Sequence, residues 1–260
     1  MSTKVRLEIS YDGTEYGGWQ RQKKSDRPTI QETVESSLSQ LFNEPIRVVG
    51  SGRTDAGVHA ISQVCHFVTS KDPKKFNIIR ALNGRWTPDS IVYKAAYEAP
   101  MDFHALASAD RKTYKYLLQS SSLPSALRRN YMHRTHYPLD LEYLNQIAQA
   151  FVGEHDFASF QTSGTEVKST VRRIFSAQWR QVEPTVFEMT ISGNGFLRQM
   201  VRNIVGIHLY MSRNASKIDL VQKVLAARDR QAAFDTAPPN GLYLYRVEYP
   251  EELDKRCRRL

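Results

Sequence analysis

The run Gly50-Ser51-Gly52-Arg53-Thr54-Asp55-Ala56-Gly57-Val58-His59-Ala60 constrains this chain more than any other segment. It gathers three glycines, a carboxylate, an arginine, a histidine and two small hydroxyls into one stretch. The β-branched Ile46-Arg47-Val48-Val49 before it reads as a strand over 46–50, and the alternating Ser62–Val68 after it as a second strand over 62–69. Asp55 then sits on a tight loop between two sheet elements, a place from which a rigid scaffold presents a reacting side chain. Glycines there admit positive φ and close backbone approach. Taken alone, the same loop also reads as an ordinary turn, with Arg53 pairing a surface carboxylate.

A chain of 260 residues can bury a substantial core as one large or two small domains. The balance of 36 basic to 27 acidic residues, net +9, favours a polyanionic partner. DNA-binding, ribosome-associated and membrane-surface proteins share that balance. The two cysteines, Cys65 and Cys257, lie far apart with no C-x-x-C spacing, which argues against a disulfide scaffold and a zinc cluster. No P-loop or dinucleotide-binding glycine motif is visible. The N-terminal residues carry no long apolar run and no stretch is long and apolar enough for a span, so a reducing cytoplasm is the expected compartment.

Lys4–Ser10 alternates as a half-buried strand, and Tyr16-Gly17-Gly18-Trp19-Gln20-Arg21-Gln22 follows as an aromatic, basic loop. Thr29 and Glu32 have capping-box spacing, and Ile30, Val34, Leu38 and Leu41 mark one helix face. A short helix over 76–82 and a strand over 91–97 complete a first unit, with a connector from Ala99 to Asp110. Strands at 112–118, 171–181, 185–191 and 242–248 and helices at 141–151, 196–210 and 220–226 form the second. The expected fold is α/β (α+β): two similar mixed-sheet subdomains, 1–105 and 106–260, with helices outside and a basic cleft between them.

Gly52-Arg53-Thr54-Asp55-Ala56-Gly57-Val58-His59 resembles the signature of the tRNA pseudouridine synthase A family. Three further segments carry the resemblance: Tyr11–Gln20 with Thr29-Ile30-Gln31, Arg111–Tyr116, and Phe196–Gly206. Phe151–Phe157 and Thr236–Leu242 add weaker support, so the likeness runs from about residue 7 to 248. It implies the pseudouridine synthase fold, isomerisation of uridine at positions 38, 39 and 40 of the tRNA anticodon stem-loop, no cofactor, and a homodimer in which one tRNA touches both subunits. It makes Asp55 the catalytic carboxylate, Arg202 its cationic partner, Tyr114 the ring that packs on the target base, and Leu242 a wall of the uracil pocket. Read without it, Arg202 is a surface arginine on an amphipathic helix, Tyr114 a half-buried strand tyrosine and Leu242 a core leucine. His59 is either loop support or an RNA contact.

A uridine stacked in RNA must be flipped out before it can react. Arg21, Lys23, Lys24, Arg53, Arg128 and Arg129 are candidate phosphate contacts, and each also reads as solvated surface. Tyr16 and Trp19 either stack on RNA or pack on the sheet. One departure stands out: Phe103-His104-Ala105 is followed by Leu106, where the family has an arginine thought to assist base extrusion. Arg111 or a neighbouring basic residue is the available substitute. The departure keeps two alternatives open, a non-catalytic tRNA-binding or chaperone protein and a synthase acting on another RNA.

Overall fold

Alternation builds the first strand. In the computed structural model, which describes residues 2–22, 26–162, 164 and 167–260, Thr3–Tyr11 is β1, with Val5, Leu7, Ile9 and Tyr11 buried. Next come α1 (Ile30–Phe42), β2 (Val49–Gly50), β3 (His59–Thr69), a short α2 (Ile78–Ala81) and β4 (Ile91–Ala99). Then follow β5 (Arg111–Ser120), β6 (His133–Thr135), α3 (Leu141–Gln149), β7 (Gly153–Asp156), β8 (Val171–Glu183), β9 (Val186–Gly193), α4 (Met200–Asn214) and α5 (Asp219–Ala227). β10 (Leu242–Glu248), α6 (Glu251–Asp254) and β11 (Arg258–Arg259) end the chain. The fold is mixed α/β: β5 and β6 pair in parallel, whereas β1 pairs β3 and β4, and β9 pairs β5 and β8, in antiparallel.

The chain forms two compact units, Met1–Asp110 with Leu244–Leu260, and Arg111–Tyr243. This differs from the expected division at 105/106, because the C-terminal segment returns to the first unit. There β10 lies beside β3 and β11 beside β4. Tyr249 donates its hydroxyl proton to Ala105 O (2.7 Å), Arg256 clasps both oxygens of Asp102 (2.8 and 2.9 Å), and Arg6 pairs with Asp254 while lying over the Tyr249 ring. The connector ahead of the boundary is packed: Phe103 and Ala105 are buried, and the Lys4 ammonium donates to the carbonyls of Met101 and Phe103.

The order in the first unit is β11-β4-β1-β3-β10, with β2 on β3. Helix α1 starts where the sequence places it: Thr29 accepts from the Glu32 amide and Glu32 accepts from the Thr29 amide, the complete capping box. Its face of Ile30, Val34, Leu38 and Phe42 is fully buried, worth roughly 1.5–3 kcal/mol per side chain. The strand expected over 46–50 shrinks to Val49–Gly50 because side chains take its amides. Ser39 Oγ accepts from Ile46 N–H and the Glu35 carboxylate accepts from Val48 N–H.

In the second unit the order is β7-β8-β9-β5, with β6 on β5. Asn145 of α3 bridges to β8, donating to Trp179 O and accepting from Trp179 N–H. Helix α4 begins at Met200 rather than Phe196, since Gln199 adopts a left-handed φ of 59° that breaks the helical path. Ile204, Val205, Ile207, His208 and Met211 of α4 are buried.

Two histidines make stability depend on pH. Burial, with Lys4 and His104 nearby, pushes His66 down to about 4, and burial pushes His208 down to about 4 against its bond to Ile204 O. Both are neutral when folded at pH 5, whereas an unfolded histidine protonates near 6.5. Between about 6.5 and 4 the unfolded chain therefore binds more protons, and stability falls as pH falls. Urea unfolding should show a loss between pH 7 and pH 5 of roughly 2 kcal/mol from His208 and less from His66, and His208→Leu should remove its share of that slope.

Candidate active site

Backbone lies on backbone around Asp55. Gly13 and Gly18 belong to the loop after β1, and neither position has room for a side chain. A Cβ on Gly13 would stand 2.0 Å from Val58 O, and one on Gly18, at φ +94°, would stand 2.7 Å from Thr54 O. Through this contact Trp19 N–H donates to Thr54 O at 3.0 Å, and the Thr54 and Tyr11 hydroxyls bond at 2.8 Å. The turn is closed by Val58 N–H donating to Asp55 O at 3.1 Å, with Gly57 at φ +77°. On the other side, buried Gln63 donates to Gly52 O (3.0 Å) and accepts from Ser51 Oγ (2.6 Å). Asp55 is thus held half-buried at the tip of a loop fixed on both flanks. Burial pushes the Tyr11 phenol upward, so it stays a neutral hydrogen-bonding anchor.

His59 supports the loop. It is buried, and its Nδ1 accepts from Gly13 N–H at 3.1 Å. Asp12 Oδ1 lies 3.2 Å from the same nitrogen. An Nδ1 that accepts from Gly13 carries no proton for Asp12. Trp19 and Tyr16 are buried as well and pack inward, Trp19 beneath Gly50.

The remaining first-unit candidates lie at the surface. Arg53 is exposed on the Asp55 loop. Arg21 is half-exposed and paired with Glu32 (3.1 Å) and with the buried Glu35 (3.6 Å), which also pairs Arg47 (2.8 Å). Leu106, at 51% exposure, stands on a turn where His104 Nδ1 accepts from the Leu106 and Ala107 amides. Lys23 and Lys24 lie outside the described residues.

Tyr114, Leu242, Arg202, Arg128 and Arg129 belong to the second unit. Tyr114 is buried on β5 with Phe196 edge-on at 5.1 Å, and Leu242 is buried at the start of β10. Arg202 is in the first turn of α4, half-buried. Its Nε donates to Ala237 O at 2.7 Å, and Ala237 N–H donates back to Arg202 O at 3.1 Å. This reciprocal bonding needs the 235–237 segment against the helix, and Gly206 permits it: a Cβ there would stand 1.9 Å from Asp235 O. Tyr116, two residues beyond Tyr114 on the same face, donates to Pro238 O at 2.9 Å and fixes the next residue of that segment. Arg128 is paired with Glu183 at 2.7 Å and Arg129 donates to Ala126 O.

Gln63 and Glu35 were missed by the sequence reading. Each is a polar residue at an inward position of a strand or helix, and that mismatch is the signal, because a buried polar group needs built partners. The glycine clamp also makes a sharp prediction. Gly18→Ala should drive the loop off Thr54, so that exchange of the Trp19 and Val58 amide hydrogens speeds up by about tenfold or more, while amides of the β1–β3 ladder keep their protection.

A family profile described as tRNA pseudouridine synthase matches residues 9–106 and 147–250. A curated relative from Bdellovibrio bacteriovorus named tRNA pseudouridine synthase A is 48% identical over 263 residues, covering 100% of both chains. Relatives of the same name from Acetivibrio thermocellus and Ruminiclostridium cellulolyticum are 40% and 42% identical, covering 94% and 95% of this chain and 99% of theirs. The profile match over most of the chain, together with relatives 40–48% identical along nearly their whole length, places the chain in the tRNA pseudouridine synthase family.

Proposed function

We propose that this chain isomerises uridine to pseudouridine at positions 38, 39 and 40 of the tRNA anticodon stem-loop, as a cytoplasmic homodimer in which one tRNA touches both subunits. The observation that carries the reading is the Asp55 loop, which offers one half-buried carboxylate from a backbone locked on both sides. Such a group performs one task in one orientation. In the reaction the N1–C1′ bond breaks, the detached uracil turns and C5 bonds to C1′, while the proton leaving C5 is matched by one gained at N1. Nothing is oxidised or reduced and no group is imported, so the chemistry calls for no cofactor.

Asp55 acts in its ionised form, as nucleophile or base. Partial burial works against that charge, and a nearby cation restores it; we assign that part to Arg202, whose guanidinium is oriented by Ala237 O. Tyr114 offers the ring on which the extruded base packs, steadied by Phe196. Leu242 supplies apolar wall. Flipping costs about a few kcal/mol, and contacts from Arg53, Arg21, Arg128 and Arg129 to the phosphates offset it.

Purified protein given unmodified tRNA, without added cofactor, should convert uridines 38, 39 and 40, read by carbodiimide-blocked primer extension. Asp55→Asn should lower turnover by about a thousandfold or more and leave tRNA affinity nearly unchanged. Unchanged uridine at all three positions overturns the assignment; pseudouridine appearing only in another RNA moves it to a different substrate.

A further inference from the structure

Strand β5 carries a second side chain that the reading above leaves unused. Lys112, Tyr114, Tyr116 and Leu118 are its buried positions and alternate with more exposed ones. Lys112 therefore lies on the same face as Tyr114, about 7 Å along the strand, a span comparable to that from a nucleotide's base to its own phosphate. Lys112 is 8% exposed. Among the described residues its ammonium has no carboxylate partner and no side-chain hydrogen bond. The charged group that acts on it is another cation, Arg172 of β8, and burial together with that repulsion pushes Lys112 down to about 8.

The β9 side of Lys112 is bare of charge. Gly193 lies opposite Lys112 in the β5–β9 register and Ser192 beside it, neither of them titratable. Asn194 and Gly195 follow, and a Cβ on Gly195 would lie 3.7 Å from Arg172 Nε. The next residue, Phe196, is the one packed on Tyr114. On β5 itself the flanking ionisable groups are Arg111 and Tyr114. A desolvated ammonium with no counter-ion is costly. The alternation of β5 would be served equally well by an apolar residue at 112. Two cations beside the Gly193-Asn194-Gly195 turn, two residues along the strand from the base-stacking ring, form an arrangement that an anion completes.

We propose that Lys112, with Arg172 beside it, binds a backbone phosphodiester of the RNA at the nucleotide whose base packs on Tyr114. This rests on the tRNA reading above and adds a substrate-binding residue to it. The contact also couples RNA binding to proton uptake, because Lys112 must be charged to hold the phosphate.

The test is the affinity for unmodified tRNA in the Asp55→Asn background, measured for Lys112, Lys112→Arg and Lys112→Met at pH 7–9 and across a salt series. With lysine, affinity should fall by up to about tenfold per pH unit above 8. Lys112→Arg should bind as lysine does at pH 7 and lose that slope; it carries the same RNA through the same pH and so subtracts titration of the RNA itself. Lys112→Met should bind about tenfold more weakly at pH 7, without the slope, and lower the salt dependence by about one counterion. A lysine protein whose affinity does not fall above pH 8 overturns the proposal. So does a Lys112→Met protein with unchanged affinity and salt dependence. The wild-type chain assayed for pseudouridine separates the two readings. If it forms pseudouridine while Lys112→Met binds normally, only this proposal fails. If it forms none while the Lys112 signature is present, the enzyme reading fails and the phosphate contact stands.

Discussion

The first unit depends on two backbone segments touching with no side chain between them. Gly13 and Gly18 let the loop after β1 lie on the carbonyls of Val58 and Thr54, and these contacts set where Asp55 stands. Glycine is costly in an ordered chain, since it gives up more conformational freedom than any other residue. Here that cost is offset by hydrogen bonds only a bare backbone can make, such as Trp19 N–H to Thr54 O and Gly13 N–H to His59 Nδ1. The result is a loop whose geometry is over-determined, with buried Tyr11, Gln63 and His59 each holding a different point of it.

The second unit uses the same device for a different end. Gly206 admits the 235–237 segment against α4, and Gly241 lies where a Cβ would stand 2.6 Å from Leu117 O on β5. The segment between these points supplies Ala237 O to the Arg202 guanidinium and Pro238 O to the Tyr116 hydroxyl. Main chain therefore helps to aim Arg202. A planar guanidinium fixed through Nε keeps its remaining donors in a fixed plane, which a lysine at that position would not do.

Much of this was legible in the residues. The Thr29–Glu32 capping box, the alternation of β1 and β5 and the start of β10 at Leu242 follow from short-range pattern, and each stands where the pattern put it. The failures share a cause: a long-range partner took a group that local pattern had assigned elsewhere. Val48 N–H went to Glu35, so a strand shortened; Gln199 turned left-handed, so a helix started late; the chain's end returned to β3 and β4, so a boundary moved. His59 had two readings because a histidine in a glycine loop does either job, and its bond to Gly13 rests on a long-range contact that local pattern does not reveal. Lys112 was hidden by its neighbours, since a lysine among alternating basic and aromatic residues reads as surface until the parity of the strand is counted.

That parity bears on how a chain of net +9 attracts a polyanion. Several of the cations proposed to meet RNA or lying beside them are compensated: Arg21 by Glu32 and Glu35, Arg47 by Glu35, Arg128 by Glu183. A compensated, solvated arginine adds little net field, and salt screens what it adds. Its carboxylate partner nevertheless holds the guanidinium in position, so such residues serve register more than attraction. Lys112 is the opposite case, uncompensated and desolvated, where each unit of charge acts through less water and at shorter range. The compensated arginines therefore suit the diffuse task of seating an RNA, and the buried Lys112 suits the local task of fixing one phosphate beside the ring on which a base must stack.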